Sequence, residues 1–342
     1  MKPTVAVVFT GGTISMSIDE RLGAAIPSLS AAQILSMVTN IDRFAHIEPI
    51  TFSSLPGPHM DPQLMMKLRA QVQQLLTRDD IAGVVVTHGT DTLEETAYLL
   101  DLTLDTTKPV VMVGAMRNSS ELGYDGPSNL AAAVCTAISP ESRNKGVLVV
   151  MNNEVNAASE VTKTNTLRLN TFQSLEFGAL GIVDNDEVIF HREVVHRQVL
   201  QPEALEERVS LIKCVAGMDH RLIEFCVEQQ DKGLVIEAMG RGNVPPAMMQ
   251  GVRRAIDNGL VVVLVSRCPT GRVLGTYGYP GGGKELRDLG VIFGGDLPGQ
   301  KARIKLMLAL GVSREQAVIR HIFEQEQYRT PVTGQEESTH GQ

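Results

Sequence analysis

The chain has 342 residues, 43% of them apolar and 20% charged, enough to bury a sizeable core as one large domain or two medium ones. Its 31 basic and 39 acidic residues leave a formal charge of −8, which argues against nucleic acid and anionic membranes as main partners. Cys135, Cys214, Cys226 and Cys268 form no C-x-x-C pair and sit beside no histidine at zinc-ligand spacing, a pattern that suits burial in a reducing compartment.

The N-terminal run is preceded by one charge, Lys2, and is shorter than a secretory apolar segment. It ends in Thr10-Gly11-Gly12-Thr13 rather than in a cleavage site, so 5–9 reads as a first strand and the protein as cytoplasmic. No apolar stretch approaches the length of a membrane span. Residues 61–76 read as a helix with Asp61 as N-cap, Pro62 at the first helical position, and Leu64, Leu68, Val72, Leu75 and Leu76 on one face. Strands follow at 81–87, 109–113 and 146–151, separated by helices at 92–102 and 128–138. Such alternation implies parallel pairing with right-handed crossovers.

Residues 193–208 carry many charges and Pro202, and read as a linker. Beyond it, strands at 209–215, 233–237 and 260–266 and helices at 218–230, 245–258 and 300–310 make a second, smaller unit. The expected fold is therefore α/β: a larger N-terminal parallel-sheet domain of flavodoxin or Rossmann type (1–192) and a smaller C-terminal α/β domain (209–330). Residues 331–342 form a polar tail. There is no internal repeat and no low-complexity tract.

Three glycine-containing polar turns directly follow strands: Thr10-Gly11-Gly12-Thr13, Thr87-His88-Gly89-Thr90-Asp91 and Gly114-Ala115-Met116-Arg117. In a parallel sheet all three emerge at the carboxyl edge, where open α/β folds bind ligands. Thr13 follows two glycines, which allow close approach of a substrate, and nearby amide groups would hold a developing oxyanion. A threonine hydroxyl needs a base or proton relay to act as a nucleophile. Lys163, in Val161-Thr162-Lys163-Thr164-Asn165-Thr166, is a candidate base. Asp91, at a helix start, can hold a substrate ammonium.

Each feature also has a plainer reading. Thr10-Gly11-Gly12-Thr13 is equally the pattern of a simple turn or a phosphate loop, although it matches neither G-x-G-x-x-G nor the P-loop. Asp91 reads as an N-cap, a ligand or both, and His88 as a hydrogen-bonded structural histidine. Lys163 alone reads as a solvated surface lysine. Arg117 either binds a carboxylate or pairs with a nearby acid.

Taken together, the segments TVAVVFTGGTISM (4–16), VVVTHGTDTLEETAYLLDL (84–102), VGAMRNSSELGYDGPSNL (113–130) and EVTKTNTLRLNTFQSLEFGALGI (160–182) resemble the bacterial L-asparaginase family, in the branch shared with glutaminase-asparaginases. MGRGNVPPAM (239–248), VSRCPTG (265–271) and QKARIKLMLAL (300–310) extend the likeness almost to Phe323. The resemblance implies two α/β domains, no cofactor and no metal, and a homotetramer built from intimate dimers with active sites at the dimer interface. It implies hydrolysis of L-asparagine to L-aspartate and ammonia through an acyl-enzyme. Carried over by motif, Thr13 is the nucleophile, Thr90 the second catalytic threonine, Asp91 the ligand of the substrate amino group and Lys163 the proton-relay lysine. Ala115 presents its backbone to the leaving amide, and Asn243 reaches a neighbouring subunit's site.

Three positions depart from the family pattern. The lid tyrosine after the nucleophile is absent, with Ala25 the nearest match in Arg21-Leu22-Gly23-Ala24-Ala25-Ile26-Pro27. The carboxylate-binding serine is absent from Gly57-Pro58-His59-Met60-Asp61, leaving backbone groups and His59. Gly281-Gly282-Gly283 stands where a partner glutamate is usual, with Glu285 the nearest acid. Two further functions therefore stay open: a related ω-amidase or glutaminase, and a non-catalytic amino-acid-binding protein on the same fold.

Overall fold

A computed structural model of the chain describes residues 2–39 and 41–324. The expected polar tail at 331–342 and the end of the expected second domain at 325–330 lie outside the described residues. The chain divides into two compact units, Met1–Glu207 with Arg303–Val312, and Arg208–Ala302 with the chain from Ser313.

The first unit is built on an eight-stranded sheet in which β1 (Thr4–Gly11) lies one strand in from an edge. β1 pairs in parallel with β4 (His46–Leu55) on one side and β5 (Ile81–Thr87) on the other. β6 (Val110–Val113) and β7 (Val147–Met151) extend the parallel set beyond β5. The connections run through α2 (Pro62–Leu76), α3 (Leu93–Thr103) and α4 (Gly126–Ile138), so the expected strand–helix alternation is present. Val5 to Val8 are fully shielded from solvent, which is why this strand reads as an unbroken apolar run: a strand covered on both faces has no polar face to show. In α2, Asp61 accepts from the Leu64 amide at 2.8 Å as N-cap. Met65 is buried there together with Leu68, Val72, Leu75 and Leu76.

Several elements were not expected. β2 (Met16–Asp19) and β3 (Ala24–Pro27) form a hairpin directly after the first turn, and α1 (Ala31–Ser36) follows it, opened by a capping box between Ser30 and Gln33. β4 is an edge strand whose His46, Glu48 and Pro49 disguise it, and an edge is where proline is tolerated. Beyond β7 the sheet turns antiparallel through β8 (Glu154–Ala157), β11 (Gly181–Asp184) and β12 (Glu187–Phe190). The two tight hairpin turns are Asn152-Asn153 and Asn185-Asp186, all four residues at positive φ, the conformation that matches strand twist in a two-residue loop. Two short strands, β9 (Thr162–Lys163) and β10 (Phe172–Gln173), form a separate antiparallel pair.

Residues 193–207, expected to link the domains, count with the first unit. Arg197 donates to Asp101 Oδ1 at 2.9 Å, and the Leu200 amide donates to the Leu102 carbonyl at 2.6 Å. The charges of this stretch therefore hold it against the end of α3.

The second unit has a four-stranded parallel sheet in chain order, β13 (Val209–Lys213), β14 (Gly233–Ala238), β15 (Val261–Ser266) and β16 (Ile292–Phe293). Its helices are α5 (Arg221–Glu228), α6 (Met249–Asp257), α7 (Gly283–Asp288), the start of α8 (Gly299–Val312) and α9 (Gln316–Glu324). Ile212, Leu234, Ile236, Val262 and Leu264 from the strands meet Ile223, Val252 and Leu286 from the helices in one core. The helix expected over 245–258 starts only at Met249. Pro245 and Pro246 lack the amide hydrogens of a helix interior, and a 3-10 turn takes their place. Cys135, Cys214 and Cys226 are buried, but Cys268, also expected to be buried, is exposed.

Candidate active site

Four adjacent parallel strands, in the order β6-β5-β1-β4, end at one edge of the first unit's sheet. The chain leaves β1 for β4 on one side and returns to β5 on the other, so the strand order reverses at β1. Such a reversal opens a crevice at the carboxyl ends. Three turns there meet backbone to backbone. A methyl group on Gly12 would lie 2.3 Å from the Gly89 Cα, and one on Gly89 would lie 2.5 Å from the Gly57 Cα. A methyl group on Gly114 would reach the Thr90 methyl at 3.1 Å, which brings in the turn after β6. The unexpected strand β4 thus supplies a fourth turn, carrying Gly57 and His59.

Two side-chain hydrogen bonds and one backbone bond lock these turns. Thr10 donates to the Thr87 carbonyl at 2.8 Å, Thr92 to the Gly57 carbonyl at 2.8 Å, and the Gly12 amide to the Leu55 carbonyl at 2.8 Å. Gly11 and Gly12 have φ of 110° and 81°, a backbone shape that non-glycine residues rarely take. Gly89→Ala is accordingly expected to cost about 1–3 kcal/mol. Its methyl group would press on the Gly57 backbone, which cannot rotate away as a side chain would. Urea unfolding checks this. An unchanged or raised midpoint, the usual effect of Gly→Ala at a permissive site, would contradict it.

Thr13 and Thr90 each directly follow one glycine of the Gly12–Gly89 contact. Thr13 opens a 3-10 turn, Thr13–Ser15, and is half-buried. Its hydroxyl has no hydrogen-bond partner among the described residues. Thr90 is 6% exposed, and its hydroxyl accepts from Lys163 Nζ at 2.9 Å. Lys163 Nζ also donates to Asp91 Oδ1 at 2.7 Å. The lysine side chain is 17% exposed and the aspartate side chain 59%, so a mostly sheltered ammonium faces a carboxylate open to the crevice. The solvated-surface reading of Lys163 does not hold. Asp91 is not the N-cap of α3 either: Thr92 occupies that position, leaving the Asp91 carboxylate to Lys163.

Lys163 is delivered by β9 and fixed by a residue that the sequence did not single out. One carboxylate oxygen of Glu94, on the first turn of α3, accepts from the Thr162 hydroxyl and from the Lys163 amide, both at 3.2 Å. Glu94 is buried, so its charge is spent on these donors rather than on water. Its signal lay inside the THGTDTLEETAYLL segment, but only the fold shows that this helix faces the lysine strand.

His88 is wholly buried. Its Nδ1–H donates to the Gly89 carbonyl at 2.9 Å, and its Nε2 accepts from Thr96 at 3.0 Å. Burial pulls its pKa down to about 4, so it is neutral near pH 7, with both ring nitrogens occupied. This is the structural histidine of the plainer reading. Ala115 is buried beside Gly114 at the end of β6, and the next two amides, Met116 and Arg117, donate to Asp125 at 2.9–3.1 Å. Arg117 donates to the Leu122 and Gly123 carbonyls at 3.1 and 3.3 Å, which fits neither of its two expected roles. His59 is exposed in the 3-10 turn Gly57–His59. Asn243 lies in the second unit, in a backbone bridge with Met239, and its Oδ1 is shielded from solvent without a hydrogen-bond partner. Among the described residues, no cluster of three His, Cys, Asp or Glu is placed to hold a metal ion. None of their helices is long and apolar enough to cross a membrane.

Comparison with known proteins matches this arrangement. Residues 4–196 match the family model described as Asparaginase, N-terminal, and residues 208–323 match the Glutaminase/Asparaginase C-terminal domain. An L-asparaginase of Bacillus licheniformis is 35% identical over 315 residues, covering 92% of this chain and 98% of that protein. One component of a glutamyl-tRNA(Gln) amidotransferase from Pyrococcus furiosus is 33% identical over 323 residues, covering 90% of this chain and 72% of that component. The crystal structure of a probable cytoplasmic L-asparaginase from Campylobacter jejuni superposes with a TM-score of 0.85 at 31% identity, covering 94% of this chain and 99% of that one. The chain belongs to the asparaginase family and is an amidohydrolase.

Proposed function

We propose that this protein hydrolyses L-asparagine to L-aspartate and ammonia through an ester on Thr13. The observation that carries the reading is Lys163 Nζ, held 2.9 Å from Thr90 Oγ1 and 2.7 Å from Asp91 Oδ1, beside the Gly12–Gly89 contact that brings the Thr13 turn alongside. Asp91 receives the substrate ammonium at its exposed face, and His59 with the Gly57–His59 backbone receives the α-carboxylate. The Thr13 hydroxyl adds to the side-chain amide carbon. Its proton goes to the departing nitrogen, the C–N bond breaks, and ammonia leaves past the Ala115 backbone. Water then adds to the ester carbon, its proton passes by way of the Thr90–Lys163 pair to the Thr13 oxygen as the ester C–O bond breaks, and aspartate and the Thr13 hydroxyl are freed. Amide and water go in, acid and ammonia come out, and no electrons are transferred.

The same reading includes a homo-oligomer, a dimer of intimate dimers, in which Asn243 serves a neighbouring copy's site. Its buried, unpartnered Oδ1 supports that role, since a shielded carbonyl oxygen without a donor is costly. A cytoplasmic setting accords with four cysteines, all unpaired.

A substrate panel tests the function. Ammonia release measured with L-asparagine, L-glutamine and D-asparagine is expected to give L-asparagine the highest kcat/KM. Another ω-amide ranking above it would assign the chain to a related amidase. That outcome has a structural motive in His59 and in the exposed Ala25, which stand where the family's serine and lid tyrosine are missing. Asparagine binding by calorimetry without turnover would instead identify a binding protein.

A further inference from the structure

The 3-10 turn that carries Thr13 is internally bonded. The Ser15 amide and hydroxyl both donate to the Gly12 carbonyl, at 2.9 and 2.8 Å, and the Met16 amide donates to the Thr13 carbonyl. These bonds give the turn its shape but not its orientation over the crevice, because they all lie within it. The hairpin β2–β3 that follows is exposed for much of its length and supplies no tyrosine.

From outside, the Ser28 and Leu29 amides donate to the Ser15 carbonyl at 2.9 and 3.0 Å, and the loop between β6 and α4 grips the residues on either side of it. The Tyr124 hydroxyl donates to the Ile14 carbonyl at 2.5 Å, one residue past Thr13. The Ser119 amide and hydroxyl donate to the Met16 carbonyl at 3.0 and 2.9 Å, and Ser120 Oγ accepts from the Ile18 amide at 3.0 Å. The loop is itself anchored at its base. Asp125, the residue after Tyr124, accepts from the Met116 and Arg117 amides and from Asn129 Nδ2 at 2.9–3.1 Å. Two consecutive side chains therefore tie two parts of the site together, one reaching the nucleophile turn and the other the backbone just after Ala115.

We propose that Tyr124 is a positioning residue for Thr13, holding the Ile14 carbonyl so that the nucleophile faces the amide carbon. The proposal rests on the asparaginase reading above. The phenol is not a base. Burial, with the Asp125 charge second, pushes its pKa up to about 12, and its proton is committed to a carbonyl. The aromatic ring is held independently of the hydroxyl, because it lies so close on Gly126 that a methyl group there would sit 2.4 Å from the phenol carbon and oxygen. Tyr124→Phe therefore removes the hydroxyl and leaves the ring seated. Tyr124 thereby fills, from another element, the positioning place left open by the absent lid tyrosine.

The test is Tyr124→Phe in the full-length protein. Losing one aligning bond is expected to lower kcat for L-asparagine on the order of tenfold, with KM changed by less than about twofold. Amide hydrogen exchange across 13–18 is expected to quicken while the thermal midpoint stays within about 2 °C of the parent. Unchanged kcat with unchanged exchange would overturn the proposal. So would a kcat loss that merely follows a fall in the folded fraction. If the parent releases no ammonia from any amide, the asparaginase reading fails on its own, and exchange at 13–18 then decides the Tyr124 contact separately.

Discussion

Thr13→Ala is expected to abolish ammonia release from L-asparagine, lowering kcat by roughly 10⁴-fold or more, because the proposed ester then has no oxygen to form on. The variant should remain folded. The Thr13 side chain is half-buried and its hydroxyl has no partner among the described residues, so its removal strands no buried donor or acceptor. A stability change within about 0.5 kcal/mol is expected, the range of sites away from packing and hydrogen-bond networks. Asparagine should still bind, since the proposed ammonium and carboxylate contacts at Asp91 and His59 do not involve Thr13. Calorimetry showing binding, beside an assay showing no ammonia, is the expected pair of results. Retained turnover would move the nucleophile elsewhere, with Thr90 the first alternative.

Lys163→Met is the second large effect. Among the described residues, the Nζ group is the one charged donor on the Thr90 hydroxyl, and it sits in a sheltered position where water replaces it poorly. Losing a positioned group that passes protons costs typically 10²–10⁴-fold, and a drop of that size in kcat is expected. Methionine keeps the unbranched stem of the side chain up to the amine, and Glu94 still holds the residue's amide, so β9 should stay in place. Lys163→Arg separates a proton relay from a merely structural cation, because arginine keeps the charge but does not give up a proton. The arginine variant is expected to be as slow as the methionine one. Recovery of the parent rate by arginine would remove Lys163 from the proton path.

How much of the fold is legible in the sequence depends on where each residue sits. β1, β5 and β6 announce themselves because both faces are covered, leaving uninterrupted apolar runs. The turns that follow them therefore fall on one edge by sequence reasoning alone. β4 is not legible, because an edge strand half open to solvent carries histidine, glutamate and proline at positions that break the apolar pattern. Missing it hides the fact that Gly57 packs on Gly89, a contact between backbones with no side-chain signature at all. The antiparallel extension through β8, β11 and β12 is marked in the sequence only by its Asn-Asn and Asn-Asp turns, which are hairpin signals.

At the site, the same division appears. Thr13, Thr90 and Asp91 are recognisable from turns after strands. Lys163 is a candidate base by residue type, but its role came only with the family resemblance, since its strand is two residues long and its partners lie 72 and 73 residues away in the chain. Tyr124 lies 110 residues from the carbonyl it holds. No spacing rule connects residues at such separations. Packing connects them, and the topology that sets the packing must be known first.

The most direct measurement of the central claim is identification of the covalent intermediate. Lys163→Met protein mixed with L-asparagine, quenched in acid and mapped by peptide mass spectrometry is expected to carry one aspartyl group as an ester on Thr13. An aspartyl group on Thr90 instead, or steady ammonia release with no esterified residue in the quenched protein, would contradict the account.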